Sequence, residues 1–253
     1  MTVRLALPNR QVACQAIIFD KDGTLVDLMG IDLTLGRARA AGLAQAAGEQ
    51  AAAAWQQAVG FDAARGWMDR DGPLCLAPRH EEEIVAAAVL YRLGYPWDRA
   101  RALARQAYDQ ADLMLEPPYG GQLLPGVAGL LADLAGRGLR LAIATTDRGW
   151  RAERALAALG VAGYFAAVVG AEDVTNGKPA PDMVVLACER LRCPPAAAIV
   201  VGDSPIDMEM GRAAGVAATI GVTTGLNDAA RLAELADVVL PDVTRLPSLF
   251  LRS

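Results

Sequence analysis

Ala16-Ile17-Ile18-Phe19-Asp20-Lys21-Asp22-Gly23-Thr24 is the stretch on which the reading of this chain turns. Four apolar residues in succession, without alternation, predict a strand buried on both faces, as in a parallel sheet. The run ends in a polar turn carrying two acids and a glycine. The same design recurs downstream at Leu139 to Ala144 before Thr145-Thr146-Asp147, and at Val168-Val169-Gly170. It returns at Ala198 to Gly202, Ala217 to Ile220 and Val238-Val239-Leu240. A helix-like segment separates most neighbours, so the alternation predicts an α/β fold with a doubly wound (Rossmann-like) parallel sheet.

More than a hundred residues separate the first two of these strands, whereas a crossover needs about a dozen or somewhat more. The excess is expected to be an inserted helical module over 28–118, with 1–27 and 119–253 forming the core. Within the insert, Leu35–Ala58, Glu81–Leu93 and Arg99–Leu115 carry apolar residues at helical spacing, with Gly94-Tyr95-Pro96 as a break. An irregular stretch from Gly60 to Arg79 lies between the first two helices. Pro117-Pro118 and Gly120-Gly121 mark the return to the core.

Composition narrows the function. Hydrophobic residues make up 53% of the 253, so the chain is no disordered tail, and a formal charge of −5 argues against nucleic acid or an anionic membrane as partner. No run is long and apolar enough to span a bilayer, and Met1 to Arg10 lacks the features of a secretory signal. The four cysteines (Cys14, Cys75, Cys188, Cys193) form no CxxC pair, which fits reduced thiols in a cytoplasmic protein. A small-molecule ligand and a monomer or homodimer are the expectation. The basic residues are arginine except at Lys21 and Lys178, and both lysines fall in the polar clusters at strand ends.

Four such clusters stand where open α/β sheets bind their ligands. In an extended segment residues two apart point the same way, so Asp20 and Asp22 can face one pocket while Lys21 turns aside. Two carboxylates held together call for a hard cation. Thr145-Thr146 offers hydroxyl and backbone N–H groups to an anion, or caps a helix. Lys178, followed by Pro179 and Pro181, sits in a stiffened loop suited to neutralising phosphate, or in an ordinary surface loop. Asp203 and Asp207 can share one face at a helix start, or simply cap it. Each ordinary reading stands by itself; all four together, in this order and at strand ends, do not.

The order DxDGT, Thr, Lys-Pro, GDxxxD resembles the haloacid dehalogenase-like (HAD) hydrolase superfamily from about Ala13 to Val239. The position of the insert is similar to a subclass I helical cap, as in phosphoglycolate phosphatase-like members. The resemblance implies a Mg²⁺-dependent phosphatase acting on a small phosphorylated metabolite through an aspartyl-phosphate. Asp20 would be the nucleophile, because an ionised carboxylate needs no activating base, and Asp22 the general acid and base. Thr145, with Thr146, and Lys178 would hold the phosphoryl group. Asp20, Asp203 and the backbone carbonyl of Asp22 would bind the metal, with Asp207 supporting. Lys21 receives no catalytic role.

Asp22 argues against a dehalogenase, which has no alkoxide to protonate. The lack of any lysine between Lys21 and Lys178 argues against a phosphonatase. A β-phosphoglucomutase-like phosphomutase, or a binding protein that keeps the fold without turnover, is the alternative. Selectivity is expected in Gly60 to Arg79, where Arg65, Arg70 and Arg79 could meet a substrate carboxylate or lie in solvent. His80, the only histidine, is read as a helix cap.

Overall fold

In a computed structural model the chain divides into two compact units, residues 1–28 with 121–253, and residues 29–120. The structure describes residues 2–77, 79–115, 121–225 and 227–251. Pro117-Pro118 and Gly120 of the expected return to the core lie outside the described residues.

The discontinuous unit begins with an antiparallel pair, β1 (Val3–Ala6) and β2 (Gln11–Cys14), followed by β3 (Ala16–Phe19). In the continuous unit come α1 (Leu28–Ala47), α2 (Glu49–Ala58), a two-residue strand pair β4 (Phe61–Asp62) and β5 (Trp67–Met68), then α3 (Pro73–Leu76), α4 (Arg79–Arg92) and α5 (Trp97–Met114). The chain then returns through α6 (Val127–Gly136), β6 (Arg140–Ala144), α7 (Gly149–Ala158), β7 (Phe165–Val169), α8 (Asp182–Leu191) and β8 (Ala198–Gly202). It closes with α9 (Pro205–Ala214), β9 (Ala218–Val222), α10 (Ala229–Ala233) and β10 (Val238–Leu240).

Six strands form one parallel sheet in the order β10-β9-β8-β3-β6-β7. The fold is thus α/β and doubly wound. β3 is flanked by β6 and β8, and every residue of β3 and β8 is buried, which explains their unbroken apolar runs. From β3 the chain builds outward through β6 and β7, then crosses back to β8 on the other side. The strand order therefore reverses beside β3, and the ends of β3 and β8 open onto a switch-point crevice. One face of β3 packs Ala16 and Ile18 against Met183, Val184, Ala187, Cys188 and Leu191 of α8.

The continuous unit departs from the expected helices in one respect. The segment Leu35–Ala58 is two helices, because Gly48 takes φ +90, ψ 164 and ends the first. Gly94, at φ +97, separates α4 from α5 as expected. The irregular stretch contains β4, β5 and α3. His80 lies inside the first turn of α4 and its side chain is exposed, so it is no cap: the helix starts at Arg79, earlier than the sequence suggested.

α5 buries Ala100, Ala104, Ala107, Tyr108 and Ala111, a stripe at helical spacing whose small residues admit close neighbours. A Cβ on Gly42 of α1 would stand 2.6 Å from the carbonyl oxygen of Ala107, so the two backbones touch. Beside this contact Arg39 pairs with Glu82, both almost wholly buried. Tyr108 lies under the Arg39 guanidinium, 4.8 Å from carbon to ring centre, accepts a 3.0 Å hydrogen bond from Trp55 Nε1, and donates to the carbonyl of Glu82.

Removing one member of this pair strands the other in an apolar interior, so Glu82→Ala should lower the unfolding free energy by about 3–5 kcal/mol in urea titration. The double variant Arg39→Met with Glu82→Leu should recover most of that loss, since an apolar pair of similar volume avoids the desolvation cost. A double variant as unstable as Glu82→Ala would mean the polar network itself carries the packing.

Candidate active site

Each expected polar cluster follows the C-terminal end of a core strand or its loop. Asp20 directly follows β3, and its N–H bonds to the carbonyl of Val201, which fixes it against β8. The next residues turn sharply: Leu25 N–H and Val26 N–H both donate to the carbonyl of Lys21, and Gly23 N–H to that of Val26. Gly23 sits at φ +84, where a side chain would be strained. Asp203 follows β8. Asp207 lies in the first turn of α9, whose start combines Ser204 as N-cap, Pro205 at the first helical position and the Asp207 carboxylate accepting from Ser204 N–H at 3.1 Å.

These residues converge. One carboxylate oxygen from each of Asp20, Asp203 and Asp207 lies within 4.8 Å of the others. Lys178 reaches in from the loop before α8; its Nζ is 2.6 Å from Asp20 Oδ1 and 2.6 Å from Asp207 Oδ1, with the side chain 2% exposed. Burial opposes the charge on Lys178, yet the two carboxylates raise its pKa above the ordinary lysine value. Burial first, then Asp20 and Asp207, push the Asp203 carboxyl up to about 8. Burial likewise takes Asp207 to about 6, with Lys178 opposing. Both shifts come first from burial, to which the neighbouring acids add, so the cluster resists carrying several negative charges at once. That is the behaviour of carboxylates arranged for a divalent cation, and the all-oxygen donor set suits a hard one.

Thr145 follows β6 and is buried; its hydroxyl oxygen accepts from Asp147 N–H at 3.1 Å, which leaves its own proton to donate. Neither Thr145 nor Thr146 caps α7, whose N-cap is Arg148, and Thr146 is exposed. Asp22 is partly buried, and burial raises its pKa while Lys21 opposes the rise. Here the structure differs from the alternation argument. Lys21 does not turn aside: its Nζ stands 2.5 Å from both carboxylate oxygens of Asp22 and 3.9 Å from Asp147 Oδ2. In the other unit, Arg79 is tied to Glu83, Asp109 and Asp112, whereas Arg65 and Arg70 are exposed.

The loop after β9 also shapes the cluster, and sequence reading gave no sign of it. Thr224 Oγ1 donates to the carbonyl of Gly23 at 2.5 Å, and Asn227 Nδ2 donates to that of Asp203 at 3.2 Å. Gly225 lies so close that an added Cβ would stand 1.7 Å from Asp203 Oδ2.

A protein-family model of haloacid dehalogenase-like hydrolases matches residues 14–215. The chain belongs to that family. Among curated proteins it is 37% identical over 145 residues to "Probable phosphatase IndB" of Dickeya dadantii, covering 57% of this chain and 63% of that protein. It is 38% identical over 124 residues to phosphoglycolate phosphatase of Escherichia coli K12, covering 49% and 47%. The matches thus span about half to two-thirds of these relatives' lengths. A crystal structure of a HAD-superfamily hydrolase, subfamily IA, variant 1, from Geobacter sulfurreducens shares the fold, with TM-score 0.61, 21% identity and coverage of 93% and 96%. Among the described residues no helix is long and apolar enough to cross a membrane.

The 1.7 Å approach predicts that Gly225→Ala displaces the Asp203 carboxylate with little effect on the sheet beneath. Isothermal titration with Mg²⁺ should show affinity reduced about 10- to 100-fold, the range for disturbing a group that orients a ligand, and circular dichroism should be unchanged. Unaltered Mg²⁺ affinity would remove Asp203 from any metal site.

Proposed function

We propose that the protein is a phosphomonoesterase that transfers the phosphoryl group of a small metabolite to Asp20 and then to water. The observation that supports this is the Asp20 carboxylate at the mouth of the switch point, held by buried Lys178 and grouped with Asp203 and Asp207. A carboxylate oxygen of Asp20 attacks phosphorus, the ester P–O bond breaks, and Asp22 gives its proton to the departing alkoxide. Asp22, now a carboxylate, takes a proton from water; the resulting nucleophile attacks the aspartyl-phosphate and frees inorganic phosphate and Asp20. Thr145 and Thr146 donate to the phosphoryl oxygens, and the Lys178 ammonium offsets their charge, which is greatest in the transition state.

Asp20, Asp203 and the backbone carbonyl of Asp22 would hold Mg²⁺, with Asp207 keeping Lys178 in place. A bound Mg²⁺ supplies positive charge beside the phosphoryl oxygens. The substrate class is a small alkyl phosphomonoester of the phosphoglycolate type, in keeping with the relatives' names. The unit 29–120 serves as the helical cap that selects it.

Asp20→Asn should reduce phosphate release to about 1% of the parent or less while the circular dichroism spectrum is retained, because losing a covalent nucleophile costs several orders of magnitude. Residual turnover well above that level would move the nucleophile elsewhere.

The cation has its own test in pH. The folded pKa of Asp203, about 8, lies above the ordinary aspartate value. A carboxyl raised on folding contributes stability at low pH and loses it as pH climbs towards the folded value. In chelator, the melting temperature should therefore fall between about pH 6 and about pH 8, and Asp203→Asn should flatten that fall. Added Mg²⁺ should raise the melting temperature more at the upper pH, where no proton need be displaced. Parent and Asp203→Asn curves that run parallel would place the repulsion on another group.

A further inference from the structure

The chemistry above leaves Lys21 without a role, yet the structure places it with care. Its side chain is 5% exposed, and an ammonium so far from water is tolerated only when paired. The Lys21 carbonyl is pinned by Leu25 and Val26, so the stem leaves a rigid turn. It then folds back until Nζ spans both oxygens of Asp22 at 2.5 Å, with Asp147, from the loop after β6, behind it at 3.9 Å. Lys178 also pairs with two acids, at 2.6 Å from Asp20 Oδ1 and 2.6 Å from Asp207 Oδ1. Each of the two acids that the proposed reaction uses thus has its own buried ammonium, and each ammonium has a second carboxylate within ion-pair distance.

We propose that Lys21 is a positioning residue for Asp22: its ammonium, steadied by Asp147, fixes the carboxyl through which the leaving group's proton passes. This rests on the reading of Asp22 as proton donor. A carboxyl free to rotate presents its O–H to the leaving oxygen only part of the time. With both oxygens held on the Lys21 ammonium, the plane of the carboxyl is fixed, and a proton on either oxygen leaves it in a set direction. Proton transfer is sensitive to such aim, since the donor must come within hydrogen-bond reach of the atom it serves. A lysine that only neutralised buried charge would affect folding, and would affect all esters alike.

The test exploits that difference. Phospho-enzyme formation is followed in a single turnover with an alkyl phosphate, whose alkoxide needs a proton, and with p-nitrophenyl phosphate, whose leaving group scarcely does. Lys21→Met should slow the alkyl reaction about 10- to 100-fold, part of the 10²–10⁴ that general acid catalysis supplies, and the aryl reaction less than about threefold. Substrate KM should be little changed. Lys21→Arg, which keeps the charge, should restore part of the alkyl rate. Asp147→Asn leaves Lys21 in place and removes its outer anchor; it should repeat the selectivity at smaller amplitude, and it decides the matter if Lys21→Met does not fold.

A second readout is independent of turnover. The chain has two lysines, so ¹⁵N-lysine labelling gives two side-chain ammonium signals, and Asp147→Asn should shift that of Lys21. Equal slowing of both esters, or no slowing, with an active parent overturns the positioning role alone. An unmoved Lys21 signal overturns the part given to Asp147. A parent that forms no phospho-enzyme from either ester defeats the phosphatase reading, and the positioning role with it.

Discussion

The ammonium of Lys178, buried between Asp20 and Asp207, is the interaction on which the site depends. It joins three separate pieces of chain: the end of β3, the loop before α8 and the first turn of α9. A buried ion pair is a poor source of stability, because desolvating both partners consumes most of what their attraction returns, and apolar replacements often do as well. Stability alone therefore gives little reason for this lysine to lie here. Its presence is intelligible if a group of high negative charge must enter the cluster during the reaction, since a positive charge already fixed in place needs no reorganisation when that charge arrives.

The remaining carboxylates show the same imbalance from the other side. Asp20, Asp22, Asp147, Asp203 and Asp207 share two ammonium groups; burial first, and then the neighbouring acids, raise the pKa values of Asp203 and Asp207. The backbone enforces this crowding. Gly225 and Gly23 both lie against the Asp203 carboxylate, where any side chain would collide, and Gly202 lies against Asp207 with no room for a Cβ.

Much of this was legible in the sequence because parallel strands buried on both faces announce themselves. Ile17 and Ile18 beside Phe19, or Ile199 to Val201, allow few other readings, and the polar residues that end such runs fall at the sheet's C-terminal edge by construction. What escaped had a weaker local signal. The β1–β2 pair has four residues on each strand without clear alternation, too little to separate from loop, and buried Leu5 also meets Phe250 from the far end of the chain. Gly48 splits an alanine-rich segment whose apolar spacing continues across the break, so periodicity carried the expected helix through it. Gly225 has no signature at all. Its importance comes from meeting Asp203 in space, and its flanking residues read as an ordinary turn.

Lys21 marks a different limit. Alternation along an extended segment fixes where Cβ points, and on that rule Lys21 belongs on the face away from Asp20 and Asp22. Four methylenes lie between that Cα and the charge, long enough to turn back around the backbone and bring Nζ to the neighbouring carboxylate. Long side chains place stem and head in different surroundings, so the direction of the stem says little about where the charge ends. The composition held the better clue. A chain that elsewhere uses arginine keeps lysine at the two positions where a buried ammonium meets two carboxylates, and a compact point charge serves there differently from a planar guanidinium.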